Sequence, residues 1–350
     1  MAVQVRGLTA YPLSAASARV RIGDFRPFLG EQGVELTHVP ALTDAEYAVL
    51  KSDASPVRKA AVLARSAFRV ARTQRASGLL MVQRLLLLTP VPGIDPPPRV
   101  DAYDIDDALF VGSPAEVNRR FNWLKQEQRR SVVTMRRARV VIAANSNLAQ
   151  YACTLNRRVE VVPSCVDPER QPLREHADVD VARIGWIGSH TTVEYLQPLL
   201  PVIARLNADR LRAVLVVVGG DTGVRADWIE HRQWSLDRQA ADLASLDIGV
   251  MPLPDSPWTQ GKSGYKLLQY FAAGVPAVAS PVGVNAEFVA EGRGLTATSS
   301  ADWTDSLMML LASSAERRER GALARAYVEQ HYSYQRWAPE LAGILRSLAG

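Results

Sequence analysis

The chain has 350 residues, 47% of them hydrophobic and 22% charged, with a net charge of +5. That composition excludes wholesale disorder and a fibrous architecture, and the length exceeds what one core usually organises. The longest apolar run, Gly78 to Leu88, is interrupted by Arg84 and falls short of a membrane helix.

Met1 to Leu8 alternates like a strand and carries no basic-then-apolar leader pattern, so a cytoplasmic location is expected. Strands follow at Val3–Arg6, Val34–His38, Leu79–Leu88, Val100–Tyr103, Arg139–Ala143 and Val159–Val162. Helices fall between them at Arg19–Gln32, Pro56–Ala76, Ala115–Arg137 and Leu148–Leu155. Pro163 to Pro168 breaks the rhythm and a polar stretch runs on to Asp180, which reads as a linker. Beyond it, Val181–Trp186, Ala213–Val218, Ile248–Pro252 and Val275–Ala279 are buried-strand candidates, and Ser333 to Leu348 reads as a closing helix. Strand-then-helix alternation predicts an α/β protein with parallel sheets. The expected division is 1–168, 169–332 and a terminal helix at 333–350.

Charge is uneven. Residues 1–168 hold 23 Lys+Arg against 15 Asp+Glu, net +8, and residues 169–350 hold 18 against 21, net −3. Between Pro56 and Leu88 stand seven basic residues and no acidic one, and Arg119 to Arg139 is almost as basic. Such surfaces suit an anionic lipid surface or a phosphorylated substrate, and equally a solvated helix face. Aromatic residues are not interleaved with the arginines as base stacking requires, so nucleic acid is not an expected partner. Cys153 and Cys165 have no partners at metal or disulfide-framework spacing, so reduced thiols and no metal are expected.

In open parallel sheets ligands bind beyond the carboxyl ends of strands. The turn Gly188-Ser189-His190-Thr191-Thr192 follows one such strand, and its glycine and helix-start amides suit a diphosphate. Thr191 and Glu194 predict a capping box, and Pro198 and Pro201 a kinked helix. The turn departs from GxGxxG and lacks the acidic residue about 20 positions on, which counts against a nicotinamide cofactor. The segment Gly261 to Pro276 predicts a helix over Ser263–Ala273, stopped by Gly274. Lys262, Lys266 and Gln269 would then share one face. Only five lysines occur among 41 basic residues, and two of them lie here. An ammonium suits phosphate oxygens, and the Gln269 amide suits a ribose hydroxyl; two solvated lysines on a plain helix is the competing reading.

The run Asp247-Ile248-Gly249-Val250-Met251-Pro252-Leu253-Pro254, the segment Gly261 to Asn285, the turn Ile184 to Thr192, Tyr103-Asp104-Ile105-Asp106-Asp107-Ala108-Leu109 and Ala144-Asn145-Ser146 together resemble group 1 (GT4-like) glycosyltransferases of the GT-B fold. The resemblance implies two Rossmann-like domains with parallel sheets facing across a cleft, an acceptor-binding N-terminal domain, a nucleotide-sugar-binding C-terminal domain, and a last helix crossing back to the first. It implies transfer of a sugar from a nucleoside diphosphate sugar, with UDP the expected nucleotide, to an acceptor hydroxyl, with retention of configuration, no cofactor and no metal. Gly188, Ser189, His190, Thr191, Lys262, Ser263, Gly264, Lys266 and Gln269 would form the donor site, and Ser17 and Arg19, with Ser14 and Arg21, a donor-phosphate loop. The family's commonest pattern has two glutamates eight positions apart; here they fall on Gly261 and Gln269, so both are missing.

Asp106 and Asp107 follow a strand where a carboxylate is placed to deprotonate an acceptor hydroxyl, and one of the two is expected to be structural, as a helix N-cap. His38 is the sole histidine of residues 1–168, and no counterpart of the family's frequent catalytic histidine is evident. Arginine-over-lysine usage suggests a high-GC bacterial source, with glycan or secondary-metabolite acceptors, and the basic helices allow peripheral contact at the inner membrane face. Two alternatives stay open: an epimerase or hydrolase acting on a nucleotide sugar, and a catalytically silent nucleotide-sugar-binding protein.

Overall fold

Every strand pair among the described residues is parallel, as buried apolar runs joined through helices require. The computed structural model describes residues 2–112, 122–210 and 212–349. It divides into one unit of residues 1–165, 261–263 and 334–350, and a second of residues 166–260 and 264–333.

In the first unit β1 (Val3–Thr9), β2 (Val34–Pro40), β3 (Leu79–Gln83), β4 (Val100–Ile105), β5 (Ala138–Ala143) and β6 (Val159–Val161) lie in the order β2-β1-β3-β4-β5-β6. The direction of strand addition reverses between β1 and β3. The helix Tyr334–Ala349 belongs to this unit and buries Tyr334, Leu341, Leu345 and Leu348 in one cluster with Val5, Val34 and Val140. Burial of each such leucine contributes roughly 1.5–3 kcal/mol. Phe25 meets the Tyr334 ring edge-on at 4.8 Å, and the Tyr334 hydroxyl donates to Val20 O at 3.3 Å.

In the second unit β7 (Ala182–Ile187), β8 (Ala213–Val218), β9 (Ile229–Arg232), β10 (Ile248–Met251), β11 (Ala277–Ala279) and β12 (Gly294–Thr296) lie in the order β12-β11-β10-β7-β8-β9. That is the Rossmann arrangement, with its switch point between β7 and β10.

Several expected elements are corrected. The strand read through Leu88 ends at Gln83, because Arg84 takes a left-handed φ of 58°. The helix read over Arg19–Gln32 is a π turn, Arg19–Gly23, and a separate helix, Arg26–Glu31, that restarts with Pro27 in its first turn, where a missing N–H costs nothing. The helix read from Ala115 lies outside the described residues up to 121; beyond, Asn122–Lys125 and Glu127–Arg137 are separated by Gln126 at φ 48°. Arg130 on that helix is buried against Asp95, so this stretch is not a uniformly basic face. The helix after β7 is kinked more strongly than a single bend: Pro198 leaves a 3-10 segment, Val193–Leu199, and Leu200–Leu206 follows as α-helix with Pro201 in its first turn. The helix Asp44–Lys51, with a capping box between Thr43 and Glu46, and the edge strands β9 and β12 went unread. No helix among the described residues is long and apolar enough to cross a membrane.

Candidate functional site

At the switch point of the second unit, Tyr270 holds the two central strands together. Its buried hydroxyl accepts from Ile187 N at 3.2 Å and donates to Val250 O at 3.3 Å. Burial pushes its phenol well above the ordinary tyrosine range, so it stays protonated. Gly249 leaves the space for the ring; a Cβ there would strike it. The sequence reading missed Tyr270, because nothing local distinguishes it from a core aromatic.

The turn after β7 has a simpler reason for its glycine than a phosphate: a Cβ on Gly188 would strike the indole of Trp186. Its hydroxyls engage each other. Ser189 Oγ and Thr191 Oγ1 are 2.8 Å apart, and Thr192 Oγ1 accepts from Ser189 N at 3.3 Å. Thr192, with no side-chain cap, precedes the 3-10 segment, so the capping box expected of Thr191 and Glu194 does not form. Ser189, His190 and Thr191 are exposed.

The helix expected from Ser263 runs over Tyr265–Ala272 and ends at Gly274 with φ 67°, the left-handed stop expected there. It starts from Gly264 at φ 64°, without a side-chain cap, and a Cβ on Gly264 would lie 2.7 Å from the Phe288 ring. Lys262 is therefore not on the helix face with Lys266 and Gln269; residues 261–263 belong to the first unit. Lys266 Nζ lies 5.1 Å from the centroid of the Trp186 ring. Gln269 is 7% exposed, and its side-chain amide has no hydrogen-bond partner among the described residues.

In the first unit, Asn145 caps the helix Ser146–Cys153 through Leu148 N at 2.9 Å, and its amide donates to Gly261 O at 3.1 Å and Lys262 O at 3.2 Å. Gly261 is buried, and a Cβ on it would lie 2.6 Å from Ala108 Cβ and 3.1 Å from Leu148. The position where the resemblance would place its first glutamate thus has no room for a side chain. Gly261→Ala is expected to lower stability by about 1–3 kcal/mol through overpacking, measured by denaturant unfolding.

The two aspartates after β4 are unequal. Asp106 Oδ1 accepts a hydrogen bond from Gln83 Nε2 at 3.2 Å and is ion-paired with Arg84 Nε at 3.1 Å, and Oδ2 has no partner among the described residues. Asp107 has both oxygens engaged, Oδ2 by Arg84 and Oδ1 by Lys262 Nζ at 3.8 Å. Burial, reinforced by the negative charges of Asp107 and Asp104 against the pull of Arg84 and Arg21, pushes the Asp106 carboxyl up to about 6. Neither aspartate caps a helix among the described residues, which corrects that expectation.

In the loop after β1, Arg21 is engaged inside the first unit. Arg21 is 2% exposed, with Nη2 donating to Asp104 Oδ1 at 2.5 Å, Nε to Asp104 Oδ2 at 3.0 Å and Nη1 to Val162 O at 2.9 Å; it ties strands together and is not turned toward a ligand. Arg19 is buried, with Nη1 3.5 Å from Leu13 O and Nε 4.0 Å from Asp24, and Ser17 is half-buried on the short helix Ala16–Ala18. His38 pairs with Thr9 Oγ1 at 2.8 Å, and burial beside Arg26 lowers its imidazole to about 4. It stays neutral at physiological pH. Asp247, which opens one of the resemblance-bearing runs, is buried and accepts from Arg174 at 2.8 Å and Arg183 N at 2.8 Å, a structural role.

Residues 181–313 match the family described as glycosyl transferases, group 1. Among solved structures the chain is similar to a sucrose-phosphate synthase from Thermosynechococcus elongatus (13% identity, 99% of each chain, TM-score 0.71). It is also similar to HepE from Anabaena, solved with UDP and glucose (13% identity, 99% of this chain and 100% of that one, TM-score 0.68). A third similarity is to WaaG, a glycosyltransferase involved in lipopolysaccharide biosynthesis (15% identity, 98% of this chain and 99% of that one, TM-score 0.64). No curated protein matches the chain.

Proposed function

We propose that the chain, whose residues 181–313 match the group 1 glycosyl transferases and whose fold is similar to that of solved glycosyltransferases, moves a sugar from a nucleoside diphosphate sugar to an acceptor hydroxyl. UDP is the first nucleotide to test, since the HepE structure holds it. The observation that carries the donor site is the Gln269 amide, which makes no hydrogen bond among the described residues, one turn along the helix from Lys266 at an uncapped helix start. Lys266 and the first-turn amides take the diphosphate, Gln269 a ribose hydroxyl, and the turn Gly188–Thr191 lies at the adjoining strand end. An ammonium and helix-start amides supply the positive charge that stabilises a departing diphosphate, the role a metal takes elsewhere, so binding is expected to persist in EDTA.

In the proposed reaction Oδ2 of Asp106 receives the proton of the acceptor hydroxyl. The acceptor oxygen then forms a bond to the anomeric carbon on the face from which the diphosphate departs, and the bond from that carbon to the diphosphate breaks, releasing the nucleoside diphosphate. Asp107 is the brace of the pair, with both oxygens occupied. Retention of configuration, a cytoplasmic location and a place in bacterial glycan or secondary-metabolite synthesis complete the proposal. NMR of the product's anomeric proton tests the first of these.

Calorimetric titration with UDP, GDP, dTDP and ADP in EDTA tests the donor site. Lys266→Ala is expected to weaken binding of the preferred nucleotide roughly ten- to 150-fold, the equivalent of about 1.5–3 kcal/mol for a charged hydrogen bond, with the fold intact. Lys125→Ala is the control and is expected to change nothing. Equal effects would refute the donor assignment. Donor turnover without any acceptor would point to a hydrolase, and binding without turnover across acceptor extracts to a silent binding protein.

The first unit also offers a surface for an anionic membrane. The helix Pro56–Gln74 buries Val62, Ser66 and Val70 and presents Val57, 80% exposed, and Phe68, 71% exposed, beside Arg58 and Arg72. Arg65 and Arg69 on the same helix pair with Glu46, which leaves Arg58, Lys59 and Arg72, with Arg75 just beyond its end, as cations with no acidic partner among the described residues. Apolar side chains among basic ones fit a headgroup layer. Salt-sensitive flotation with phosphatidylglycerol vesicles but not phosphatidylcholine vesicles, lost in Phe68→Ser with Arg72→Gln, is the expected result; no flotation would leave this helix a solvated face.

A further inference from the structure

We infer that Arg84 is the positioning residue of the reaction: its guanidinium clamps Oδ1 of Asp106 and Oδ2 of Asp107, leaving Oδ2 of Asp106 as the one oxygen of the pair free to take a proton. The inference rests on the reading of Asp106 as the proton acceptor.

The clamp is built into the end of β3. Gln83 is the last residue of that buried strand, and Arg84 follows it at φ 58° with its amide donating to Asp104 O at 3.0 Å. A side chain rarely takes this left-handed conformation, which glycine adopts without strain. What the side chain holds accounts for its presence here. Nε lies 3.1 Å from Asp106 Oδ1, Nη2 meets Asp107 Oδ2, and Gln83 Nε2 comes to the same Asp106 oxygen at 3.2 Å. The planar fork of an arginine can meet two neighbouring carboxylates at once, which an ammonium cannot. Adjacent like charges would otherwise turn away from each other. The guanidinium stays charged throughout, since both carboxylates push its proton affinity above the usual arginine value.

The charged groups around Asp106 are Arg84, Asp107, Asp104 and Arg21, with Lys262 acting on Asp107. Arg21 is already committed to Asp104, so removing Arg84 leaves Asp106 beside two carboxylates with no cation of its own. Its proton affinity then rises and its orientation is lost.

The test compares wild type with Arg84→Met, Arg84→Lys and Arg84→Gly in the full chain. The glycine variant accepts the left-handed backbone without strain and so keeps the experiment informative if Arg84→Met does not fold. The first readout needs no substrate: carboxyl-carbon NMR of aspartate-labelled protein, with the Asp106 signal assigned by its absence in Asp106→Asn. The Asp106 titration midpoint is expected to move up by one pH unit or more in Arg84→Met and Arg84→Gly, and by less in Arg84→Lys. The second readout is the pH profile of nucleoside diphosphate release from the donor identified by titration. Its acidic limb is expected to move upward with the NMR midpoint while the affinity for UDP stays unchanged. If Arg84 served only to turn the chain, Arg84→Gly would keep both the midpoint and the profile of wild type, and that result overturns the inference. A shifted midpoint with an unmoved limb overturns instead the assignment of Asp106 as proton acceptor, and with it any part for Arg84 in the reaction.

Discussion

Asp106→Asn is expected to lower turnover about 10²- to 10⁴-fold, the usual contribution of a positioned acid or base, while leaving donor affinity unchanged. Stability should move the other way. The folded protein holds a proton on Asp106 more tightly than the unfolded chain does, because the carboxyl is pushed up to about 6. The contribution of Asp106 to wild-type stability is therefore greatest below about pH 4, falls as the pH rises from there to about 6, and levels off above, a loss of about 3 kcal/mol for a shift of roughly two pH units. Asparagine has no charge to desolvate, so the variant is expected to lose this slope and to unfold no sooner than wild type at pH 7. In wild type the rate should rise through the same window as the base ionises. Turnover is read as nucleoside diphosphate release and stability as the urea midpoint between pH 4 and 8. Undiminished turnover, or a variant that unfolds earlier at pH 7, would move the proton acceptor elsewhere. Asp107→Asn is the companion measurement: with both oxygens of Asp107 braced, it is expected to disturb the pair's geometry and not to remove the base.

Arg21→Met is expected to destabilise the protein by about 3–5 kcal/mol, because it leaves the Asp104 carboxylate buried without its counter-charge. The pair is closed on both sides. Arg21 reaches both Asp104 oxygens and the Val162 carbonyl, so one guanidinium ties the segment after β1 to β4 and to the end of β6. Arg21→Met combined with Asp104→Leu should recover much of the loss, since replacing a whole buried pair with apolar side chains is often neutral. Urea unfolding of the two singles and the double gives the coupling. If Arg21→Met cost no more than a surface substitution, the residue would be available to a ligand, and the phosphate-loop expectation for it would return.

Much of the fold was legible because it is written locally. Apolar runs such as Ala213–Val218 and Ile248–Met251 coincide with central strands, since a strand covered on both faces can be apolar throughout. Gly274 marks a helix end in sequence and in structure because only the left-handed backbone closes that turn cheaply. The segments carrying Asp106, Lys266 and Gln269 were also singled out by residue type and spacing. The edge strands were not readable: every residue of Ile229–Arg232 is half-buried, so no alternation records which side faces the sheet.

What the tertiary structure alone decided is how these segments act on one another. Asp106 and Asp107 are adjacent and alike in sequence; they differ because Arg84 and Gln83, more than 20 residues earlier, and Lys262, some 155 residues later, approach different oxygens. Gly261 reads as a lost glutamate until Ala108 and Leu148 are found against it. Lys262 reads as a helix-face partner of Lys266 until Gly264 starts the helix after it. In each case the periodicity of one element fixes which way a residue points relative to its neighbours in sequence, while its charge state and its free atoms depend on desolvation and on cations brought in from elsewhere, and those exist only once the sheet is assembled.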